Sequence, residues 1–389
     1  MDSRRHAGLT GRILALAALL LLLLTACSGV PRGILVQPNK PTPSAAPGSI
    51  DAFVPEAVGF VETHRGLKFK HHVKVQHLSD QDFSNRVIEL QRRDRASFDR
   101  QAKVLRALGL IPPNVDPEKA EEELLGGGVI GFYDPATKEL QVRGNSASVC
   151  VKHVVVHELT HALQDQWFSL KVQSSSGNDD ADTAYVALVE GDAVRIETAY
   201  VATMSPKDRQ ALSTQCGGGS APSDVPQVLI DMLEFPYVVG PTFTRAVLQA
   251  RGQRGLDDAF RNHPAASSQV LHPDRFLHGD KPQTLPDPAA DGPVFDRGTI
   301  GELGFDILLN ALVRSGTLSA AQFDAATSGW SGDRYVAWSQ GDRFCVRDRV
   351  SDSSAAGTAA LLSALRTLAS TRPGMTIEAG PQLVLTSCA

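Results

Sequence analysis

The stretch from Val154 to Gln166, VVVHELTHALQDQ, constrains the chain more than any other. It places His157 and His161 four residues apart, with Glu158 directly after the first histidine. Residues four apart lie on the same face of an α-helix, so both imidazoles can point at one ion. Apolar residues before and between them predict that this helix is buried. The spacing is typical of a zinc site in which a neighbouring carboxylate accepts a proton from an activated water.

A catalytic zinc usually has three protein ligands and an open fourth position. The stretch ALVEGDAV, on a second predicted helix, supplies Glu190 as the expected third ligand. Asp192 and Asp165 are the alternative carboxylates. Gly191 predicts that the two helices pack closely at this point.

The string HELTHA, followed by a glutamate on the next helix, resembles the gluzincin metallopeptidases, whose best-known members are thermolysin-like. The longer pattern HELTHALQDQ and LVEGDA is similar to that of a poorly characterised group of bacterial metallopeptidases. The resemblance implies that His157, His161 and Glu190 bind one Zn²⁺ and that Glu158 is the catalytic general base. It also implies that a peptide or protein is the substrate.

Residues 127–144 contain two alternating runs around the turn-forming tetrapeptide DPAT, which predicts a β-hairpin. In the family that the chain resembles, an edge strand before the metal-binding helix pairs with an extended peptide. The resemblance therefore implies that such a strand lies at residues 131–133 or at residues 140–143.

One position departs from the thermolysin-like pattern. Val194 occupies the place of an aspartate that bonds a ligand histidine, so that partner either comes from elsewhere in the chain, with Asp192 as the candidate, or is absent. Gluzincins also use a downstream tyrosine or histidine to stabilise the oxyanion, for which Tyr237 and His272 are the candidates. His153 is expected to line the N-terminal end of the helix and not to bind the metal.

The N-terminus has the pattern of a secretory signal. Arg4, Arg5 and Arg12 precede an apolar run from Ile13 to Leu24, which is too short for a typical membrane-spanning helix. The run ends in LTAC, which resembles the lipobox of bacterial lipoproteins. That resemblance implies a diacylated Cys27, which would anchor the mature protein to the outer face of the bacterial cell membrane.

Four regions follow from these patterns. Residues 1–26 are the expected signal peptide, and residues 27–49 are the lipidated cysteine with a Pro- and Ser-rich spacer. We expect a catalytic domain at residues 50–250, then a helical region and a C-terminal unit at residues 251–389. A net charge of −5 does not favour nucleic acid as a partner.

Four cysteines remain after Cys27, an even number in an oxidising compartment, which predicts two disulfides. Of the three possible connectivities, Cys150–Cys216 and Cys345–Cys388 are favoured because each pair then lies within one predicted domain.

The expected fold is therefore α+β and zincin-like. It has a small sheet with an edge strand over two metal-binding helices, a mainly helical second half and a small C-terminal α/β unit. The expected function is zinc-dependent hydrolysis of peptide bonds at the cell surface. Two alternatives remain: a non-catalytic zincin-fold envelope lipoprotein for binding or assembly, and a zinc amidase acting on cell-wall peptides. The intact Glu158 argues against the first, because a scaffold needs no catalytic base.

Overall fold

The structure, a computed structural model, describes residues 48–93, 95–125, 129–170, 179–216 and 225–389. The predicted signal peptide, Cys27 and all but the last two residues of the predicted spacer lie outside the described residues. In the part described, the chain has an α+β fold, and none of its helices is both long and apolar enough to cross a bilayer.

The helices, in chain order, are α1 (Ile50–Arg65), α2 (Asp80–Arg93), α3 (Arg95–Ala107), α4 (Pro117–Leu125), α5 (Val149–Phe168), α6 (Asp179–Thr203), α7 (Pro206–Gln215), α8 (Gln227–Arg261), α9 (Ser267–Leu271), α10 (Pro273–His278), α11 (Gly301–Arg314), α12 (Ala320–Thr327) and α13 (Ala355–Ser370). The strands are β1 (Lys74–Leu78), β2 (Gly131–Asp134), β3 (Glu139–Arg143), β4 (Val294–Gly298), β5 (Trp330–Gln340), β6 (Arg343–Asp352), β7 (Met375–Glu378) and β8 (Leu383–Cys388).

The chain divides into two compact units, each made of several segments, and one of the boundaries falls inside α6, between Gly191 and Asp192. The described residues of the first unit are 48–93, 125, 129–170 and 192–216, and those of the second are 95–124, 179–191 and 225–389. The domain bounds expected from the sequence, 50–250 and 251–389, are not tested by this division and stay a prediction.

The first unit contains a three-stranded sheet in the order β1-β3-β2. β3 is central: β1 pairs with it in parallel and β2 pairs with it antiparallel. The predicted hairpin of β2 and β3 is thus confirmed. β1 is confined to Lys74–Leu78, the residues that pair with β3.

Helices α1 and α5 share one apolar core with this sheet. Ser49 caps the start of α1 through its hydroxyl, which accepts from the Ala52 amide, and Gly66 caps the end in the left-handed region with φ 73°. A fully buried aliphatic or aromatic side chain contributes about 1.5–3 kcal/mol. The core residues with no more than 4% exposure include Phe53, Ala57, Val61, Leu140, Val142, Val155, Leu159, Leu163 and Ile196.

The second unit contains a five-stranded antiparallel sheet in the order β4-β5-β6-β8-β7. Helices α3, α11, α12 and α13 contribute to its apolar core together with β5, β6 and β8. The sequence predicted a small C-terminal α/β unit, and β5, β6, α13 and β8 lie in that part of the chain. It did not predict β4 and β7, the two strands at the edges of the sheet.

Both predicted disulfides are present. Cys150 in α5 pairs with Cys216 at the end of α7, and Cys345 in β6 pairs with Cys388 in β8. Cys345 and Cys388 also face each other directly in the strand register. Each disulfide closes a long loop, with sequence separations of 66 and 43, and this constraint on the unfolded chain is worth about 4 kcal/mol per disulfide.

Candidate metal centre

Helix α5 places the two histidines of the motif on one buried face. Ser148 caps the start of the helix by accepting from the Val151 amide. His157 is 1% exposed and His161 is 4% exposed. Their Nε2 atoms lie 3.0 Å apart. The predicted helix and the predicted convergence of the two imidazoles are therefore both present.

Glu190, on helix α6, completes a group of three buried side chains that could hold a metal ion. One ligand atom each of His157, His161 and Glu190 lies within 4.8 Å of the other two. A tetrahedral zinc bound at about 2.0–2.2 Å would separate its donor atoms by roughly 3.3 Å, so this set is close to the required size. Two imidazoles and a carboxylate are also the donor types of such sites.

The alternative carboxylates have other partners. Asp165 accepts from the Tyr133 hydroxyl at 2.6 Å and from the Lys138 ammonium at 2.7 Å, both on Oδ2. Asp192 forms a fully buried ion pair with Arg65, with Nε and Oδ2 2.6 Å apart. Glu190 is therefore the carboxylate that joins the two histidines.

The second ring nitrogen of His157 is bound by a carboxylate that the sequence analysis missed. His157 Nδ1 lies 2.6 Å from Oε2 of Glu197, and His153 Nε2 lies 2.5 Å from Oε1 of the same residue. Burial raises the pKa of Glu197, but the hydrogen bonds from His153 and His157 outweigh it and hold that pKa at about 2. Glu197 is therefore an anion. His153 contacts the same carboxylate and is not one of the three residues of the candidate metal group.

The position of Glu197 explains why it was overlooked. The thermolysin-like pattern directs attention to the residue four after the glutamate ligand, which here is Val194. Glu197 lies seven residues after Glu190, which is two helical turns, so the two glutamates share one face of α6. A search of α6 for carboxylates at helical spacing from Glu190 would have found it.

The second ring nitrogen of His161 is held through an amide. Nδ1 lies 3.0 Å from Oε1 of Gln164, and Nε2 of Gln164 donates to Oδ2 of Asp192 at 3.1 Å. Burial raises the pKa of Asp192, but the charges of Arg65 and Arg195 outweigh it and lower that pKa overall. Asp192, the predicted partner of a ligand histidine, thus acts on His161 through Gln164.

These contacts decide the tautomers of both histidines. The carboxylate of Glu197 can only accept, so Nδ1 of His157 donates. The amide nitrogen of Gln164 donates to Asp192, so its oxygen faces His161, and Nδ1 of His161 donates as well. Both Nε2 atoms then present lone pairs to each other at 3.0 Å. A proton or a metal cation between them is required to make this arrangement favourable.

Glu158 is buried beside His157 and contacts the sheet. Its Oε2 accepts from the Tyr133 amide at 2.9 Å. In an antiparallel pair, every second residue bonds the neighbouring strand. The Ile130 carbonyl accepts from the Arg143 amide of β3, so in this register Gly131 and Tyr133 direct their backbone groups away from β3. The candidate base is therefore tied to the outer edge of β2.

This register also decides between the two predicted peptide-binding strands. β2 lies at an edge of the sheet, whereas β3 is paired on both sides. Residues 140–143, which belong to β3, therefore cannot add a peptide strand, and that alternative is wrong. Residues 131–133 remain as the candidate edge.

The predicted close packing at Gly191 occurs, but with a different helix. A Cβ atom at Gly191 would lie 2.3 Å from the carbonyl carbon of Gly240 in α8, and one at Gly240 would lie 2.2 Å from the Ala187 carbonyl oxygen. Helices α6 and α8 thus touch through their backbones directly beside Glu190.

The two oxyanion candidates differ in their surroundings. Tyr237 is buried in α8, three residues before Gly240, so it lies on the face of α8 that packs on α6 beside Glu190. His272 lies between α9 and α10, where its Nε2 contacts Oε1 of Glu302 at 2.5 Å. Glu302 also binds Arg275 at 2.8 Å, so His272 belongs to a separate ion-pair cluster. These positions favour Tyr237.

Comparison of the chain with protein-family models, with curated proteins and with solved structures found no match.

Proposed function

We propose that the chain is a zinc-dependent metallopeptidase with a zincin-like catalytic domain. The observation that carries the proposal is the convergence of three buried side chains: the Nε2 atoms of His157 and His161 lie 3.0 Å apart, and with Glu190 they offer ligand atoms within 4.8 Å of one another, so the group could hold a metal ion. Three protein donors leave one coordination position for water or substrate, as in catalytic zinc sites.

The residues around this site support hydrolysis. A bound zinc would supply Lewis acidity and a water with a pKa near ~7. Glu158 would take a proton from the attacking water and return it to the leaving amine. Tyr237 would donate to the developing oxyanion, with His272 as the alternative donor. A peptide would lie along β2, through Gly131 and the Tyr133 carbonyl.

The burial of Glu158 supports catalysis over a binding role. Glu158 is 6% exposed, and a carboxylate at such a position is costly unless it is bound. A scaffold protein would require the three metal ligands but not this fourth group, which lies beside them and is held by a backbone amide.

We further propose that the protein is anchored through a lipid on Cys27 to the outer face of a bacterial cell membrane. The basic residues, the short apolar run and LTAC support this location. Mass spectrometry of the N-terminal peptide should find a diacylglyceryl group on Cys27, and Cys27→Ser should release the protein from the membrane fraction. An unmodified Cys27 would contradict the anchor.

The function is tested with the soluble form from Ser28 onward. We would measure zinc content and cleavage of an unfolded protein for the wild type, for Glu158→Gln and for Glu139→Gln. Glu139 provides a matched control, because it is a glutamate of the same unit whose partner, Lys74, is exposed. We expect one zinc in all three proteins and loss of activity by about 10²-fold or more in Glu158→Gln alone.

Two results would count against the proposal. Equal cleavage by wild type and Glu158→Gln would exclude Glu158 as the base. If the wild type bound zinc but did not cleave protein, the same assay would be run on cell-wall peptides. Cleavage of those peptides would indicate the amidase. No cleavage of either substrate would indicate the binding protein.

A further inference from the structure

Arg65, the last residue of α1, is a fully buried cation in the first unit. Its Nε donates to Oδ2 of Asp192 at 2.6 Å, and neither side chain is exposed to solvent. Its guanidinium also lies over the Phe168 ring at the end of α5, 5.6 Å from the ring centroid. Helix α1 thus brings a charge from the N-terminal part of the chain into the interior beside α5 and α6.

Stability alone does not account for such a pair. Removing two ions from water costs several kcal/mol each, and apolar residues of similar volume often stabilise a protein equally well. The ion pair has a second contact that apolar residues could not provide, because Oδ2 of Asp192 accepts from both Arg65 and Gln164. Arg195 binds the other oxygen, Oδ1, at 2.7 Å.

The amide of Gln164 is the point at which this pair acts on the metal centre. An amide can present either its oxygen or its nitrogen to a neighbour. Because Asp192 accepts from the nitrogen, the oxygen faces His161 Nδ1. If the amide were reversed, its nitrogen would donate to Nδ1 and the proton of His161 would move to Nε2. A protonated Nε2 cannot bind a metal ion.

We propose that Arg65 is a positioning residue of the metal centre, which fixes Asp192, and through it the Gln164 amide and the metal-binding tautomer of His161. The order of contacts is Arg65 to Asp192, Asp192 to Gln164 and Gln164 to His161. The inference rests on the metal centre of the proposed function, but not on peptide hydrolysis.

The test uses two measurements that do not depend on catalysis. Nitrogen-15 NMR of the histidine rings in the metal-free soluble protein reports which ring nitrogen of His161 carries the proton. Competition with a chromogenic chelator gives the zinc dissociation constant. The variants are Arg65→Met, Arg65→Lys and Gln164→Met, with Gln166→Met as the matched control. Gln166 is a glutamine on the same helix that bonds the backbone of residues 70 and 71 instead.

We expect His161 to carry its proton on Nδ1 in the wild type and in Gln166→Met. In Arg65→Met and Gln164→Met, the Nε2-protonated form should appear and the zinc dissociation constant should rise by about 10–100-fold. Arg65→Lys keeps the charge but not the guanidinium Nε, so an intermediate loss is expected.

The proposal would be overturned if the folded variants kept the wild-type tautomer and zinc affinity. If Arg65→Met does not fold, Arg65→Lys decides the role of Arg65 by the same two measurements. A wild type that binds no zinc would refute the metal centre, and a zinc-bound wild type without hydrolysis would refute only the peptidase.

Discussion

Replacing Glu197 with glutamine should weaken zinc binding without removing a ligand. In the wild type, the Glu197 carboxylate accepts from His157 at 2.6 Å and from His153 at 2.5 Å. A glutamine at this position has one acceptor and one donor. One of the two histidines would therefore lose its acceptor, and His157 would no longer be held reliably as the Nδ1–H tautomer.

The expected loss can be estimated from these contacts. Removing a carboxylate behind a ligand histidine typically reduces metal affinity by about 10–100-fold, equivalent to about 1.4–2.7 kcal/mol. Each hydrogen bond to a charged group contributes about 1.5–3 kcal/mol, so the metal-free protein, which loses one of the two, should also lose about 1.5–3 kcal/mol of its free energy of unfolding. The assays are chelator competition for zinc and thermal unfolding with and without a chelator.

Glu62→Gln is the matched control for this substitution. Glu62 is a glutamate of α1 that binds Lys68, whose side chain is exposed. We expect zinc affinity in Glu62→Gln to equal that of the wild type. If Glu197→Gln also bound zinc with wild-type affinity, the reasoning that Glu197 sets the tautomer of His157 would be refuted.

Two further predictions concern the second unit and the packing beside the metal group. Burial raises the pKa of Asp333 to about 6 and that of its neighbour Asp348 well above the usual range. Because both folded-state pKa values exceed the unfolded ones, this contribution to stability is fully present below about pH 4 and is lost as pH rises through about 6 for Asp333 and through higher pH for Asp348. The thermal unfolding midpoint should therefore fall over this range, and it should fall less steeply when both aspartates are replaced by asparagine. Gly191→Ala should destabilise the protein by about 1–3 kcal/mol or more and weaken zinc binding, because its Cβ atom would meet the backbone of Gly240. Gly59→Ala is the control and should change neither stability nor zinc binding, because a Cβ atom at Gly59 would have nothing within 4 Å. An equal effect of the two alanine substitutions on thermal unfolding would contradict the packing argument.

The longer helices were predictable from the sequence because their signals are local. Ser79 before α2 is such a signal, because serine is a favoured N-cap residue, and its hydroxyl accepts from the Asp82 amide at 3.1 Å. The hairpin of β2 and β3 follows from two alternating runs around a turn. Strands β4 and β7 carry no such signal, since they are short, lie at the sheet edges and become strands only by pairing with β5 and β8.

The sequence by itself identified the three residues that could hold a metal ion. The four-residue spacing of His157 and His161 needs only the pitch of a helix, and Glu190 was identified from its place on the next helix. The disulfide pairing was also favoured from the sequence, because each pair of cysteines lies within one predicted domain.

Only the tertiary structure decided how these residues are held. Glu197 binds His157, and Arg65 reaches His161 through Asp192 and Gln164, because separate helices bring together side chains that are distant in the sequence. The physical reason is that ligand spacing along a helix is a local property. Tautomer, ring orientation and close helix contact instead depend on buried hydrogen bonds between elements, which no local pattern encodes.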